Sequence, residues 1–431
     1  MIYYSLNGAA PAVDFRTAVI NGQAPDKGLY FPGTVPVLDA GFWSGIGQHG
    51  DLEIAQRIIA PYTGDAFPEA ELERIVADTL SFPVPLVPVS EAVQVLELFH
   101  GPTLAFKDVG ARFMSRCLSW FARGLDQRVL VLVATSGDTG GAVAAAFEGV
   151  PHVEVLVLYP AGRVSPVQEA QIAGAGANVH ALEVAGNFDD CQALVKEAFA
   201  DPELRRALYL TSANSINVAR WLPQQFYYAL AWKQWPHKSR PPVLSVPSGN
   251  FGNIGAALLL HRSGLPVRSF VAACNANDGV ARRLAGKPAE RRVAIATLSN
   301  AMDVADPSNF VRILELFGGD SNALQELLRV TTTTDEETRA TIRGVYNRYG
   351  YVLDPHSAVA WHGLEQVQQP GASGIVVGTA HPVKFPAVVA EETGTPVAYP
   401  PALSGLMERP LRKEPLAPVY EALRARLLQF R

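Results

Sequence analysis

The stretch VLVLVATSGDTGGAVAAAF, residues 129–147, joins a short apolar run, a glycine-rich turn and an alanine-rich segment. The apolar run has the composition of a strand that is buried on both faces, as in a parallel sheet covered by helices. A strand, a tight turn and a helix in this order present backbone N–H groups at a helix N-terminus, where anions bind. The turn does not fit the G-x-G-x-x-G pattern. A dinucleotide-binding turn and a simple helix cap nevertheless remain alternatives to an anion site.

The same alternation of apolar strands and helix-like segments continues along most of the chain. Five further runs are nearly all apolar and are predicted as strands: residues 153–159, 178–184, 243–247, 267–273 and 374–378. Helix-like segments, several of them opened by Asp, Ser or Asn residues suited to an N-cap, lie between the strands: residues 140–147, 166–174, 188–199, 218–235 and 253–263. The fold class is therefore predicted to be α/β.

The two ends of the chain differ from this centre. Pro, Gly and aromatic residues dominate as far as Phe31, and helical segments follow around residues 51–59 and 69–80. The connector SFPVPLVPV, residues 81–89, contains three prolines, which disfavour a helix and predict an extended chain. The predicted domains are a mainly helical N-terminal one over residues 1–85, a central α/β one over residues 86–395 and a C-terminal tail over residues 396–431.

Lys107 lies between apolar neighbours in the stretch HGPTLAFKDVGARF, residues 100–113. A lysine reacts as a nucleophile or a base in its neutral form, and desolvation by apolar neighbours lowers its pKa toward that form. A lysine at a helix start can also lay its apolar stem along the surface and keep its amine in water. The stretch alone leaves both interpretations open.

A second glycine-rich turn follows another predicted strand, in VPSGNFGNIGAA, residues 246–257. Its backbone N–H groups and the side-chain amides of Asn250 and Asn253 would meet at a helix N-terminus, where the dipole favours phosphate. The turns and Lys107 together indicate a phosphorylated aldehyde cofactor, which needs an imine-forming amine, a phosphate cup and a loop for the substrate carboxylate. Ser136 and Thr139 of the first turn would supply hydroxyl groups for that carboxylate.

Five motifs resemble the threonine synthase family of the fold-type-II pyridoxal-phosphate (PLP) enzymes, in its longer bacterial and fungal branch. They are LFHGPTLAFKD (residues 98–108), SGDTG (136–140), SANSINVAR (212–220), PSGNFGN (247–253) and GTAHPVKF (378–385). The N-terminal GLYFPG, residues 28–33, is also similar to this family. The resemblance implies two α/β subdomains with the cofactor between them, preceded by the N-terminal extension.

The resemblance also implies roles for individual residues. Lys107 would be the catalytic residue and would carry the cofactor covalently. Many relatives have Asn at the position of Asp138, and that Asn contacts the 3-hydroxyl of the cofactor. Asp138 would occupy the same place here. The cofactor-binding set is Lys107, Asp138, Gly249, Asn250, Phe251, Gly252, Asn253 and Thr379, with Thr379 on the pyridine nitrogen. The substrate-binding set is Ser136, Gly137, Thr139, Asn214, Ser215 and Arg220, with Asn214, Ser215 and Arg220 on the substrate phosphate.

The reaction that the resemblance implies is the conversion of O-phospho-L-homoserine and water to L-threonine and phosphate, the last step of threonine biosynthesis. Arg220 would stabilise the leaving phosphate, and Lys384 is a second candidate for that contact. His356 and His381 are candidate general bases, because histidine titrates near neutrality. A PLP-dependent lyase or dehydratase that gives a 2-keto acid, and a phosphate- or nucleotide-binding module without catalysis, remain alternatives.

Bulk properties exclude several other classes. The 431 residues carry a net charge of -5, without a basic field that would attract nucleic acid. The three cysteines are odd in number and far apart, which suggests neither a disulfide framework nor a metal site. The start MIYYSLNG has no secretory leader pattern, and no apolar run is long enough to span a membrane. We expect a cytoplasmic enzyme that binds a small-molecule substrate, no metal, no membrane and no nucleic acid, as a monomer or a dimer.

Overall fold

The computed structural model describes residues 1–125, 127–287, 293–367 and 373–430. Its N-terminal region combines helices with a small antiparallel sheet of strand order β2-β1-β3. The elements are β1 (Ile2–Ser5), β2 (Val13–Asp14), α1 (Phe15–Asn21), β3 (Tyr30–Pro32), α2 (Ala40–Gly45), α3 (Asp51–Thr63) and α4 (Glu69–Thr79). Asp14 and Asp39 cap α1 and α2 by accepting hydrogen bonds from backbone N–H groups of the first turn.

The next part of the chain alternates strands and helices that contribute to two sheets. Its elements are β4 (Leu86–Pro88), β5 (Val93–Glu97), α5 (Lys107–Ala122), β6 (Val129–Ala134), α6 (Asp138–Phe147), β7 (Val153–Pro160), α7 (Pro166–Ala173), β8 (Val179–Val184), α8 (Phe188–Ala200), α9 (Pro202–Ala207), β9 (Tyr209–Ser212), α10 (Val218–Trp221) and α11 (Gln225–Gln234). Every residue of β6 and β7 is buried, as the apolar runs predict.

The rest of the chain continues the alternation. Its elements are β10 (Val243–Pro247), α12 (Gly252–Arg262), β11 (Ser269–Cys274), α13 (Gly279–Leu284), α14 (Phe310–Leu316), α15 (Ser321–Leu327), β12 (Leu328–Thr332), α16 (Asp335–Tyr349), α17 (Pro355–Val367), β13 (Gly374–Gly378), α18 (Pro386–Thr393), α19 (Pro401–Ser404), β14 (Lys413–Leu416) and α20 (Tyr420–Leu427).

Two mostly parallel sheets organise these elements into two subdomains. One sheet has the strand order β12-β11-β10-β13-β5-β4, in which only β4 runs antiparallel to its neighbour. The other has the order β14-β8-β7-β6-β9 and is parallel throughout. Helices cover the buried strands of both sheets, so the predicted α/β fold with two subdomains and an N-terminal extension is confirmed.

The structure differs from the sequence expectations at three places. The segment 218–235 is not one helix, because a 3-10 turn at Leu222–Gln224 separates α10 from α11. Pro223 lies in that turn and lacks the N–H that a continuous α-helix would need. The connector 81–89 is extended at β4 (Leu86–Pro88), as predicted, but β4 also pairs with β5, which was not predicted. The C-terminal segment contributes β14 to the edge of the second sheet, beside β8.

Buried side chains show no sign of disulfide or metal chemistry in the described part of the chain. Cys117, Cys191 and Cys274 are buried, free thiols. No group of three or more His, Cys, Asp or Glu side chains among the described residues could hold a metal ion. No described helix is both long and apolar enough to cross a bilayer.

Candidate active site

A cavity of about 1470 Å³ lies at the ends of β6, β10 and β13, between the two subdomains. In parallel sheets, the turns that follow the strands meet at one edge, and ligands bind there. Thirteen of the predicted site residues line this cavity: Lys107, Ser136, Asp138, Thr139, Asn214, Ser215, Arg220, Gly249, Asn250, Phe251, Gly252, Asn253 and Thr379. Gly137 does not line it, although it belongs to the same turn as Ser136 and Asp138.

Lys107 is the first residue of α5, and backbone hydrogen bonds hold the preceding turn against the end of β13. The Phe106 N–H donates to the Thr379 carbonyl oxygen at 2.9 Å, and the His381 N–H donates to the Leu104 carbonyl oxygen at 3.0 Å. The Tyr227 hydroxyl donates to the Phe106 carbonyl oxygen. Lys107 and Thr379 are therefore neighbours in space, although 272 positions separate them in the sequence (379 − 107 = 272).

The amines of Lys107 and Lys384 both lie close to the carboxylate of Asp138. The Lys107 Nζ lies 3.6 Å from Asp138 Oδ2, and the Lys384 Nζ lies 2.8 Å from Asp138 Oδ1. Burial lowers the pKa of Lys107, Asp138 opposes this effect, and Lys384 and Arg220 add to it. Lys384 was a candidate for the leaving-group contact, but its side chain is 0% exposed and is paired with Asp138.

The turn at residues 136–140, called here the acidic loop, opens α6. Thr135 Oγ1 accepts hydrogen bonds from the N–H groups of Gly137 at 2.9 Å and Gly140 at 2.8 Å. Gly137 has a φ of 133°, and a Cβ there would lie 2.4 Å from the Gln168 side chain. A side chain at position 137 would thus be strained and crowded.

The turn at residues 248–253, called here the amide loop, opens α12. Phe251 is buried and left-handed, with a φ of 59°. Asn250 Nδ2 donates to Ser215 Oγ at 2.8 Å, and Asn250 Oδ1 accepts from the Ser308 N–H at 2.6 Å. Asn309 Nδ2 also donates to Ser215 Oγ, at 2.9 Å. These bonds tie the amide loop to residues 212–220, called here the substrate segment because they include the predicted phosphate-binding residues Asn214, Ser215 and Arg220.

Two features of the amide loop suit an incoming phosphate. The buried Nδ2 of Asn253 has no hydrogen-bond partner among the described residues, while its Oδ1 accepts from the Tyr228 hydroxyl at 2.5 Å. A Cβ on Gly249 would lie 2.5 Å from Met302 Cα, so only glycine lets the loop pack this closely against the Met302 backbone beside the cavity. Buried donors without partners are rare, and an unfilled one points to a ligand.

Arg220 lies in α10 and is 4% exposed. Its guanidinium donates to the Ala213 carbonyl oxygen, and its Nε has no hydrogen-bond partner among the described residues. Burial lowers its pKa to about 10, so the side chain remains a cation near neutral pH. The nearby Asn214 Nδ2 donates to the Ala134 carbonyl oxygen at 3.2 Å and thereby fixes the segment to the end of β6. The structure therefore brings a cation and two polar side chains, Asn214 and Ser215, to the same wall.

Arg312 was not predicted from the sequence, and its side chain lies in α14 with 0% exposure. It donates to the carbonyl oxygens of Ser215 at 2.9 Å and Ile216 at 2.6 Å, and to that of Tyr30 at 3.1 Å. The arginine thus joins the N-terminal region to the substrate segment. The signal was an arginine in the apolar run FVRILEL, residues 310–316, although such a position equally suits a surface residue.

The two histidines occupy different places. His356 lines the cavity, its Nδ1 lies 2.7 Å from Asp354 Oδ2, and its Nε2 accepts from the Ala301 N–H at 3.3 Å. Both of its ring nitrogens therefore have protein partners. His381 Nδ1 accepts from the Val383 N–H at 3.1 Å, and burial lowers the pKa of His381. His356 therefore has no free ring nitrogen, and His381 does not line the cavity.

Family models match almost the whole chain. The model described as "Pyridoxal-phosphate dependent enzyme" matches residues 83–380, "Threonine synthase N terminus" matches residues 2–80, and "Threonine synthase, C-terminal" matches residues 357–426. The chain belongs to the threonine synthase family. The resemblance that the sequence motifs suggested is thereby confirmed.

Individual relatives extend the match over full-length proteins. The threonine synthase of Serratia marcescens is 42% identical over 99% of both chains. The crystal structure of threonine synthase from Escherichia coli superimposes with a TM-score of 0.94 at 42% identity and covers 100% of both chains. The PLP-bound threonine synthase from Brucella melitensis gives a TM-score of 0.92 at 36% identity, covering 100% of this chain and 99% of the other.

Membership of this family makes PLP the cofactor, and the residues present fit it. The Lys107 amine reaches the cavity, the partnerless Asn253 Nδ2 suits the cofactor phosphate, and Thr379 supplies a hydroxyl at the cavity wall. Neutral donors at the N-terminus of α12 favour a phosphate without adding a fixed charge. The individual contacts remain proposals.

Proposed function

We propose that the protein is a threonine synthase, which converts O-phospho-L-homoserine and water to L-threonine and phosphate. The observation that carries this proposal is one cavity lined by an amine, a phosphate cup and a buried arginine. Full-length similarity to threonine synthases of several bacteria supports it. We also place the enzyme in the cytoplasm, where its three free thiols would remain reduced.

Lys107 is proposed as the residue that carries the cofactor and then moves protons. When bound, PLP supplies an electron sink for negative charge that develops at the substrate α-carbon. The Lys107 amine, when not joined to the cofactor, would remove the α-proton of the substrate. Burial lowers the pKa of Lys107 and so favours the neutral amine that this step requires.

The substrate is proposed to lie across the cavity with its two acidic groups on different walls. The α-carboxylate would lie on the acidic loop, where Ser136 and Thr139 offer hydroxyls and α6 offers backbone N–H groups. The substrate phosphate would lie against Asn214, Ser215 and Arg220. Breakage of the γ-carbon–oxygen bond releases a phosphate dianion, and the Arg220 cation stabilises that charge. Loss of one β-proton must accompany this departure, and the γ-carbon takes up a proton to become the methyl group. Water then adds its hydroxyl at the β-carbon and leaves its proton on the released phosphate, while the α-carbon regains a proton.

Two measurements on the purified holoenzyme test this function. The first is the visible absorption of the lysine-linked cofactor, which borohydride should abolish. The second is the release of phosphate, threonine and 2-oxobutyrate after addition of O-phospho-L-homoserine. Equal amounts of phosphate and threonine are expected. Phosphate with 2-oxobutyrate would identify a lyase, and a colourless protein with bound nucleotide would identify a binding module; either result overturns the proposal.

A further inference from the structure

Two lysines share one buried carboxylate at the floor of the cavity. Asp138 is 2% exposed, and its Oδ1 lies 2.8 Å from the Lys384 Nζ while its Oδ2 lies 3.6 Å from the Lys107 Nζ. Lys384 is fully buried and is not part of the cavity wall, whereas Lys107 is. One lysine therefore faces the reaction space and the other stands behind the carboxylate.

Other contacts fix the orientation of the Asp138 side chain. Gln168 Nε2 donates to Asp138 Oδ1 at 3.0 Å, so that oxygen has two donors. Gln168 is itself fixed, because its Oε1 accepts from the Ser165 N–H at 3.0 Å within a capping box at the start of α7. The remaining oxygen, Oδ2, is consequently directed at Lys107.

A carboxylate alone beside Lys107 would work against the proposed chemistry. An unbalanced negative charge at this distance, in a buried site, stabilises the ammonium form and withholds the neutral amine. The second cation removes that imbalance. Burial by itself would raise the pKa of Asp138. The charges of Lys384 and Lys107 nevertheless hold that pKa well below its usual range.

The remaining charged groups around the cluster have other partners. Asp108 of α5 accepts from the Thr103 N–H at 3.0 Å and from the Thr103 hydroxyl at 2.5 Å. His356 pairs with Asp354, and His381 accepts from the Val383 N–H. The guanidinium of Arg220 donates to the Ala213 carbonyl oxygen. Within the described part of the chain, the ion-pair partners of Asp138 are thus the two lysines.

We propose that Lys384 is a positioning residue that serves as the permanent counter-ion of Asp138. It lets the carboxylate orient Lys107, and the cofactor attached there, without fixing the amine in its charged form. The inference rests on the proposed role of Lys107. This role differs from a contact between Lys384 and the leaving phosphate, because the Lys384 amine is paired with Asp138 and does not line the cavity.

The test is the pH dependence of the visible absorption of the bound cofactor in four holoenzymes: the unchanged protein, Lys384→Met, Asp138→Asn and the double variant. Spectra are recorded from about pH 6 to about pH 10. Lys384→Met leaves the negative charge of Asp138 without its counter-ion. The pH at the midpoint of the absorption change should therefore rise by about one unit or more, a roughly tenfold change in proton affinity. Asp138→Asn leaves a net positive charge and should lower the midpoint. The double variant should return close to the unchanged protein.

Lys413→Met is the matched control, since Lys413 forms two ion pairs with Glu169 and Glu183 at the surface. Its midpoint should equal that of the unchanged protein. A midpoint that stays constant or falls in Lys384→Met overturns the inference, as does a band that is independent of pH in all four proteins. Threonine formation by the unchanged protein is measured separately, so a failure of the proposed function would be recognised before this comparison.

Urea unfolding of the same holoenzymes covers the case in which a single variant folds poorly. Each single variant leaves the charges of this buried cluster unbalanced, which is destabilising, while the double variant removes both members of the Lys384–Asp138 pair. The unfolding equilibrium constant of the double variant should therefore be at least about tenfold smaller than the product of the single effects predicts. Additive effects of the two substitutions would contradict the pairing.

Discussion

The acidic loop and the amide loop occupy the same place in a strand–turn–helix unit but differ in electrostatic character. Each follows a buried parallel strand and opens a helix, α6 in the first case and α12 in the second. Asp138 gives the acidic loop an ionised carboxylate that is balanced by two lysines. The amide loop offers Asn250 and Asn253, and its side chains carry no charge between residues 248 and 253.

This difference shows how one backbone motif can serve two tasks. A charged group beside a reactive amine changes the protonation state of that amine, so it must be balanced by another charge. Neutral donors at a helix N-terminus hold a phosphate through the dipole and through hydrogen bonds, without a counter-charge to desolvate. The strand-to-helix turn sets where a ligand is bound, and the side chains in it decide which group is bound.

The largest effect should come from removing the amine that the acidic loop faces. In Lys107→Ala, turnover should fall by about 10³-fold or more, because both the covalent attachment and the proton-transferring group are lost. The visible band of the lysine-linked cofactor should disappear as well. The amide loop is unaltered, so the variant should still bind PLP non-covalently. Lys413→Ala is the control, and a Lys107→Ala protein with full activity would disprove the assignment.

A second prediction concerns the phosphate that leaves, for which neither loop supplies a cation. Arg220→Ala should lower kcat/KM for O-phospho-L-homoserine by about 10²-fold, since a charge-assisted contact to a dianion is lost. The absorption band of the bound cofactor should be unchanged. Steady-state kinetics with a parallel spectrum would check both, and Arg220→Lys should recover part of the loss. Unchanged kinetics in Arg220→Ala would remove the residue from the site.

A third prediction makes the amide loop resemble the acidic one. Asn253→Asp would place a carboxylate where the structure has a partnerless amide, and repulsion should weaken PLP binding by about tenfold. Cofactor titration followed by absorbance measures the effect. Asn322→Asp adds the same charge on an exposed position and serves as the control. Equal affinities in the two variants would mean that the cofactor phosphate does not lie in the amide loop.

The last prediction concerns steric crowding of the same loop, which is measured as a loss of stability rather than of turnover. Gly249→Ala would press a methyl group against the Met302 backbone, and such overpacking typically costs about 1–3 kcal/mol. Thermal unfolding of the holoenzyme should show a lower Tm and partial loss of cofactor. Gly344→Ala has no neighbour within 4 Å of the added carbon and should be neutral or slightly stabilising. A Gly249→Ala protein with the Tm of the Gly344→Ala protein would show that the turn can relax.

The sequence allowed the long buried strands and the cavity to be predicted. β6, β7, β10 and β13 appear within one residue of their expected bounds, because burial on both faces demands continuous apolar residues. β5, with Gln94 and Glu97 in its sequence, and the short β9 and β12 were not predicted. Their pattern does not distinguish a strand from a loop, since pairing with neighbours that are distant in sequence decides their conformation.

The site was predicted as a set of residue types and not as an arrangement of charges. The sequence motifs placed Lys107, the acidic loop and the amide loop in one cavity, as the structure does. The pairing of Lys384 with Asp138 could not be predicted, because 246 positions separate the two residues. The contacts of Arg312 could not be predicted either, because its acceptors include the carbonyl oxygens of Tyr30 and Ser215. A backbone acceptor leaves no mark in the sequence.

By itself, the sequence determined the fold class, the family resemblance and the cofactor, and it singled out Lys107 as the residue proposed to carry that cofactor. These follow from local patterns: apolar periodicity, glycine-rich turns and residue order within short motifs. Only the tertiary structure decided which charges neutralise one another and which histidines are already occupied. Electrostatic balance depends on distances of a few ångströms between residues that folding brings together. Burial strengthens the interaction between charges at each of those distances.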